Sequence, residues 1–312
     1  MNKLLVLAVD AKEHIRQLKA AGLQNLEIVT AREAGTVADM AAVCNIMLGD
    51  PPLIREVLDS AKCLQWVQSS WAGVDNLCRP ELRKDYILTG LKDVFGPLIS
   101  EYVMTYLFAL ERRVFDMRTN QSKRCWQPLS YRLSKDIGVG IIGLGSIGQE
   151  LARTVGHFGI KVTGLNRSGQ SCDGVEKVFT VDAMAEFLAE PDYVVITLPE
   201  TPRTSDFINA DVFRMMKPSA VLINVGRGGV INEKDLIEAL QTGAIGGAVL
   251  DVFNTEPLTD DSPLWTMSNV HITPHNAAVS FPEDVVKIFA QNYRRFVRRE
   301  PLLHVIDFDR GY

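Results

Sequence analysis

No apolar run in this chain approaches the ~20 residues that a membrane-spanning helix needs; the longest hydrophobic stretches are the length of strands. No CxxC pair occurs either. Five cysteines, at 44, 63, 78, 125 and 172, are odd in number and scattered, which argues against a disulfide framework or a zinc site and for a reducing, cytoplasmic setting. A basic surplus is also missing: 33 Lys and Arg against 38 Asp and Glu leave a net charge of −5, the wrong sign for a nucleic-acid surface. The opening MNKLLVLAVDAKEH has a short apolar run that meets Asp10 at once and no small-residue cleavage site, so it reads as a first strand and not as a leader. With 46% hydrophobic and 23% charged residues over 312 positions, the composition is that of a globular, soluble chain of two domains. Neither a membrane nor a nucleic acid is expected as a partner.

Short apolar runs alternate with amphipathic stretches through residues 1–100. KLLVLAVD, LEIVT, CNIMLG, LQWVQSS and YILTG read as strands, and AKEHIRQLKAAG and PPLIREVLDSAK as helices. That alternation predicts a parallel sheet covered on both faces. In GPLISEYVMTYLFALERRVFDMR, Leu98, Ile99, Tyr102, Val103, Tyr106, Leu107, Leu110 and Val114 recur at helical spacing, and Pro97 suits a first turn. One long helix with a broad apolar face is expected there, at a domain or subunit junction. The polar stretch from Thr119 to Lys135, with Trp126 and Pro128, reads as a linking loop. A second alternation begins at Ile137 with IGVGIIGLG, KVTGLNRS, YVVITLPE, AVLINVGRG, AIGGAVLDVF and HITPH, followed by an amphipathic helix, PEDVVKIFAQNYRRFVRRE, and an irregular tail.

Gly143-Leu144-Gly145-Ser146-Ile147-Gly148 follows the run Val139 to Ile142 and opens the helical stretch QELARTVGHFG. Glycines take a GxGxxG spacing by chance often enough that the motif alone is weak, but strand before and helix after are the context it requires. The first glycine permits a tight turn, the second lets backbone approach a pyrophosphate, and the third allows helix and strand to pack closely. Free N–H groups at the helix N-terminus then face the phosphates. An acidic partner for the adenosine ribose belongs about 20 residues further on. No carboxylate occurs between Glu150 and Asp173; Asn166, Arg167 and Ser168 stand there instead. A guanidinium flanked by amide and hydroxyl groups would accept a 2′-phosphate that a carboxylate would repel, so NADPH is expected over NADH. A solvated surface Arg is the plainer alternative.

Three further runs end in polar residues at the expected C-terminal ends of strands, where open α/β sheets bind ligands. Gly226-Arg227-Gly228-Gly229 follows AVLINV, Asn254-Thr255-Glu256-Pro257 follows AVLDVF, and Pro274-His275-Asn276 follows HIT. Arg227 can fork onto a carboxylate and its neighbouring carbonyl, His275 can donate a proton, and Glu256 can hold that histidine protonated. Taken singly, each has a bland reading: a surface charge, a satisfied core histidine, a helix N-terminal acid.

GLGSIG, LPETPRT, INVGRGGVI, LDVFNTEPL and ITPHNAA occur in the order and near the spacing found in the D-isomer-specific 2-hydroxyacid dehydrogenases. The chain resembles that family over almost its whole length, with QSSWAGVDNL and SEYVMTYLFALERR included. The resemblance implies an α/β fold of two parallel-sheet domains. Residues 1–98 and 284–312 would form a flavodoxin-like substrate-binding domain, and residues 99–283 a Rossmann-type NADP-binding domain. It implies that Arg227, Glu256 and His275 are catalytic, that the Ala72-Gly73-Val74 turn offers N–H groups to the substrate carboxylate, and that Leu198, Pro199, Thr204, Val225 and Gly226 line the cofactor. Asp251 would meet the nicotinamide carboxamide, or equally cap a strand end. Trp71, bulky beside the turn, either narrows the pocket or packs beneath the loop.

Within the family, the length, the NRS after the second strand and the tail Arg310-Gly311-Tyr312 resemble the glyoxylate/hydroxypyruvate reductases most. The expectation is an NADPH-dependent reductase of small 2-oxo acids that accepts NADH less well, uses no metal and works as a homodimer. Its contact region would be the long helix and the loop bearing Trp126. A D-lactate-type or bulkier 2-oxo acid reductase is the alternative within the class, and a nicotinamide-sensing binding protein without turnover the alternative outside it.

Overall fold

The computed structural model describes residues 1–29 and 36–311; Thr30, at the end of the LEIVT run, and the final Tyr312 lie outside the described residues. The chain divides into two compact units, Met1–Val94 with Ser280–Tyr312, and Phe95–Val279.

In the first unit, strands β1 (Asn2–Leu7), β2 (Leu26–Val29), β3 (Ile46–Gly49), β4 (Trp66–Ser69) and β5 (Ile87–Thr89) alternate with helices α1 (Ala11–Ala20), α2 (Val37–Val43) and α3 (Pro51–Val57). The strands form one parallel sheet in the order β2-β1-β3-β4-β5, the flavodoxin-like winding. β3 and β4 are buried throughout, which is why they read as unbroken apolar runs and not as alternating ones. Helix α2 has no counterpart among the amphipathic stretches named above. Its start is set by Thr36, whose hydroxyl accepts from the Asp39 N–H while the Asp39 carboxylate accepts from the Thr36 N–H.

The second unit opens with α4 (Phe95–Glu111) and α5 (Val114–Ser122). One continuous helix is expected here, and the structure breaks it. Arg113 takes a left-handed φ of 55°, so Val114 leaves the apolar stripe and stands exposed. The stretch expected as a loop from Thr119 is helical as far as Ser122. Seven parallel strands follow: β6 (Gly138–Ile142), β7 (Lys161–Leu165), β8 (Lys177–Phe179), β9 (Tyr193–Ile196), β10 (Val221–Asn224), β11 (Gly247–Leu250) and β12 (Val270–Ile272). Helices α6 (Ser146–His157), α7 (Met184–Leu188), α8 (Ala210–Met215) and α9 (Glu233–Thr242) lie between them. The order β12-β11-β10-β9-β6-β7-β8 reverses direction between β6 and β9, the doubly wound Rossmann arrangement, in which ligands bind outside the strands' carboxyl ends at that reversal. The apolar face of α4 (Ile99, Val103, Leu107) belongs to this unit's own core, against Val139, Ile141, Leu151 and Val155.

Helix α10 (Pro282–Val297) returns the chain to the first unit. Proline at its first turn, Glu283 and Asp284 beside it, and Arg294 and Arg295 in its last turn all suit the helix dipole. Phe289 stacks on Trp66 of β4 at 4.9 Å, a contact worth about 0.5–1.5 kcal/mol beyond the area it buries. Asn292, fully buried, donates to the Gln68 side chain at 3.2 Å and to the Leu303 carbonyl at 3.1 Å, and accepts from the Leu303 N–H at 2.7 Å.

Candidate active site

Strand register brings the polar ends of the second unit together. Asn224 of β10 pairs with Leu250 of β11, and Leu250 with Ile272 of β12, so the residues that follow each strand emerge side by side at one edge. That adjacency carries Glu256 and His275 to each other although 19 positions separate them in the chain. His275 Nδ1 lies 2.7 Å from Glu256 Oε2, and the other Glu256 oxygen accepts the Phe253 N–H at 3.0 Å. The hydrogen bond it donates to Glu256 holds the imidazole above the ordinary histidine range, against a smaller opposing effect of burial. Burial pushes the Glu256 carboxyl upward, but its bonds to His275 and to the Phe253 N–H outweigh that and leave it below the usual carboxylate range. The two side chains are 50% and 36% exposed, so the pair is reachable by a solute.

Arg227 sits on the turn that follows β10. The buried Asn224 shapes this turn from below: its amide donates to the Arg227 carbonyl at 3.0 Å and its oxygen accepts the Gly226 N–H at 3.1 Å. The turn also needs its glycines. A Cβ on Gly226 would fall 2.6 Å from the Leu198 carbonyl oxygen, and one on Gly228 would fall 2.0 Å from the Phe253 carbonyl carbon. Asn224 is absent from the expected set, although an Asn closing an otherwise apolar strand is a signal in itself, since a buried amide must find partners.

Asp251 follows β11 and holds the segment after β12. Its carboxylate is 2% exposed and accepts the Thr273 hydroxyl at 2.6 Å, the Asn276 N–H at 2.9 Å and the Ala277 N–H at 3.0 Å. Within that segment His275 adopts a left-handed φ of 52°.

The glycine loop divides its labour as the motif requires. Gly143 has a φ of 103°, open only to glycine without strain. A Cβ on Gly148 would fall 2.0 Å from the Gly143 carbonyl oxygen, so the third glycine is fixed by close packing. Gly145 precedes α6 as its N-cap, with no side chain capping the helix, and a Cβ there would meet nothing within 4 Å. Gly145 and Ser146 are exposed, Ile147 is half-buried and Gly148 buried. An uncapped helix end under a bare, open backbone fits the pyrophosphate of a dinucleotide. At the end of β7, Asn166 folds a turn by accepting from the Ser168 and Gly169 N–H groups at 3.1 and 2.6 Å and donating to the Gln170 carbonyl at 3.0 Å. Arg167 is exposed at the tip of that turn. Leu198 lies against Gly143, and Thr204 closes its own loop by donating to the Pro199 carbonyl at 2.7 Å.

In the first unit, Trp71 to Val74 follow β4. Val74 is buried, while the Trp71 ring stands 40% exposed and is not sealed beneath the turn. The Trp71 N–H donates to the Ser69 hydroxyl at 3.0 Å. Asp50, buried and outside the expected set, ties this region together, accepting the Ser70 hydroxyl and the Val9 N–H.

Residues 104–277 match the family model of the D-isomer specific 2-hydroxyacid dehydrogenase NAD-binding domain. A glyoxylate/hydroxypyruvate reductase A from Photorhabdus laumondii is 31% identical over 273 residues, 85% of this chain and 87% of that one. Among solved structures, a D-isomer specific 2-hydroxyacid dehydrogenase family protein from Aeromonas salmonicida superposes with a TM-score of 0.93 at 44% identity, covering 99% of each chain. An NADPH-dependent glyoxylate/hydroxypyruvate reductase from Sinorhizobium meliloti, solved with NADP and sulfate, superposes with a TM-score of 0.89 at 30% identity over 100% of each chain.

Proposed function

The chain belongs to the D-isomer-specific 2-hydroxyacid dehydrogenase family, a family of NAD(P)-dependent oxidoreductases, and from that premise we propose that it reduces glyoxylate and hydroxypyruvate with NADPH. The observation that carries the reading is the 2.7 Å His275–Glu256 pair, set on the same sheet edge as Arg227 and the open glycine loop. The cofactor, when bound, supplies a hydride. This chain's residues do the rest. Gly143, Gly145, Ser146, Ile147 and Gly148 would hold the pyrophosphate, Asn166, Arg167 and Ser168 the 2′-phosphate, and Leu198, Pro199, Thr204, Val225 and Gly226 the wall of the site. Arg227 orients the substrate through its carboxylate. His275, held protonated by Glu256, delivers a proton from Nε2 to the carbonyl oxygen, leaving a 2-hydroxy acid. The reading includes homodimerisation through α5 and the segment after it, where Phe115, Met117, Trp126, Tyr131 and Leu133 are all exposed, Trp126 at 98%.

The test is turnover of glyoxylate, hydroxypyruvate, pyruvate and bulkier 2-oxo acids with NADPH and with NADH. The expected result is the highest kcat/KM for the two small acids with NADPH, and slower turnover with NADH. Preference for a bulky acid would move the reading to the alternative reductase; tight NADPH binding with no turnover of any 2-oxo acid would make the chain a nicotinamide-binding protein.

A further inference from the structure

We propose that Tyr102 and Thr273 are positioning residues for the proton donor, forming a hydroxyl chain that runs from α4 through Thr273 into Asp251 and fixes the turn on which His275 stands. The inference rests on the role given above to His275.

A carboxylate as buried as Asp251 is stable only if its oxygens are hydrogen-bonded. Among the described residues, the three side-chain bonds it accepts come from residues 273–277, the segment that carries His275. The Asp251 backbone carbonyl also accepts the His275 N–H, at 2.9 Å. One aspartate therefore grips the turn through its main chain and its side chain together. The turn needs that grip. A histidine at φ 52° occupies a sparsely populated region, which persists only where the surroundings over-determine it.

Thr273 has one hydroxyl proton and gives it to Asp251 at 2.6 Å. Its oxygen lies 2.6 Å from the Tyr102 hydroxyl, so in this pair the tyrosine donates and the threonine accepts. Burial raises the Tyr102 phenol above its ordinary range and keeps it a donor. The chain thus points its protons one way, tyrosine to threonine to carboxylate, and each bond polarises the next. Tyr102 stands on α4, outside the sheet, so the turn after β12 is braced from a second element. Neither hydroxyl touches His275; both act through Asp251.

The test uses the intact enzyme with Tyr102→Phe, Thr273→Val, Thr273→Ser and the double variant Tyr102→Phe/Thr273→Val. Thr273→Val should lower kcat for glyoxylate about tenfold, or about 1.4 kcal/mol, with KM and the NADPH dissociation constant within about twofold of wild type. Thr273→Ser, which keeps the hydroxyl, should restore kcat. Tyr102→Phe should cost less than Thr273→Val, and the double variant should be no slower than Thr273→Val alone, since both break one chain. Amide hydrogen exchange reads the same brace without turnover: Asn276 and Ala277 should exchange about tenfold faster in Thr273→Val and at the wild-type rate in Thr273→Ser. A wild-type kcat in Thr273→Val, a Thr273→Ser as slow as Thr273→Val, multiplicative losses in the double variant, or unchanged exchange would each overturn the proposal. If the wild type reduces no 2-oxo acid, the functional reading fails and the exchange measurement still decides the brace.

Discussion

Gly145 and Gly148 belong to one motif, yet a methyl group added to each should fail in a different way. Gly145 has φ −74° and ψ −166°, values open to alanine, and a Cβ there meets nothing within 4 Å. The folding cost of Gly145→Ala is then that of a poorer N-cap, about 0.5–1 kcal/mol, offset by about 0.4–1 kcal/mol from the reduced freedom of the unfolded chain. At ~2–4 °C per kcal/mol for a unit of this size, the melting temperature should stay within about 4 °C of wild type. Binding should suffer instead, because the methyl fills the space that lets a pyrophosphate reach backbone N–H groups. Losing one charge-assisted bond of about 1.5–3 kcal/mol weakens NADPH by roughly 10- to 100-fold. Gly148→Ala places its Cβ 2.0 Å from the Gly143 carbonyl oxygen and 3.2 Å from Thr197 Oγ1, and the nearer of these is backbone with nowhere to go. Overpacking of this kind costs about 1–3 kcal/mol or more, a drop of roughly 2–12 °C. Thermal melts followed by circular dichroism, together with fluorescence titration by NADPH, separate the two. Wild-type NADPH affinity in Gly145→Ala would show that no phosphate approaches this backbone, and a wild-type melt in Gly148→Ala would refute the close packing.

His275→Ala should lower kcat by about 10²–10⁴ while NADPH still binds, the usual scale for a lost general acid; near-normal turnover would end its assignment. Reduction needs His275 protonated, so its rate falls as pH rises through the histidine's raised pKa. Glu256→Gln removes the main cause of that elevation and should move the alkaline decline of kcat to lower pH, with Arg227 lowering and Asp251 raising the residual value. Arg227→Lys keeps the charge without the planar fork and should raise KM and lower kcat together, because the carbonyl is then misaligned as well as loosely held; unchanged kinetics would refute the role. Arg167 is exposed, so screening holds its preference for NADPH to the lower part of a ~10- to 100-fold range, and Arg167→Asp should reverse the NADPH/NADH ratio of kcat/KM.

Much of this was legible because parallel strands buried on both faces have to be short, apolar and bounded. Residues such as Val139 to Ile142 announce themselves, and the polar groups just past each strand mark the ligand edge. Besides helix α2, three things were not legible. The break at Arg113 depends on a non-glycine residue accepting a left-handed conformation that costs about 1–2 kcal/mol, which tertiary packing must supply and local propensity argues against. Two of the site's supports, Thr273 and Tyr102, bond to partners fixed by strand register and helix docking, not by spacing in the chain. Short β8, residues 177–179, is a three-residue edge strand whose apolar content is too slight to stand out.

The first unit is completed by α10, which is made after the whole of the second unit, and this sets an order on synthesis. Until that helix leaves the ribosome, Trp66 lacks the ring that stacks on it and Gln68 lacks the Asn292 amide. At ~5–20 residues per second, residues 95–312 take on the order of 10–40 s to be made, and through that interval the opening segment waits with an uncovered apolar face. The uninterrupted second unit closes first. In stalled nascent chains, protease should spare residues 95–279 while still cutting within residues 1–94. Protection of the opening segment before α10 emerges would show that it folds without its final helix. A chain built this way leaves that face open through the interval, and mutations that weaken α10 should lower the yield of newly made enzyme more than they lower the endurance of enzyme already folded.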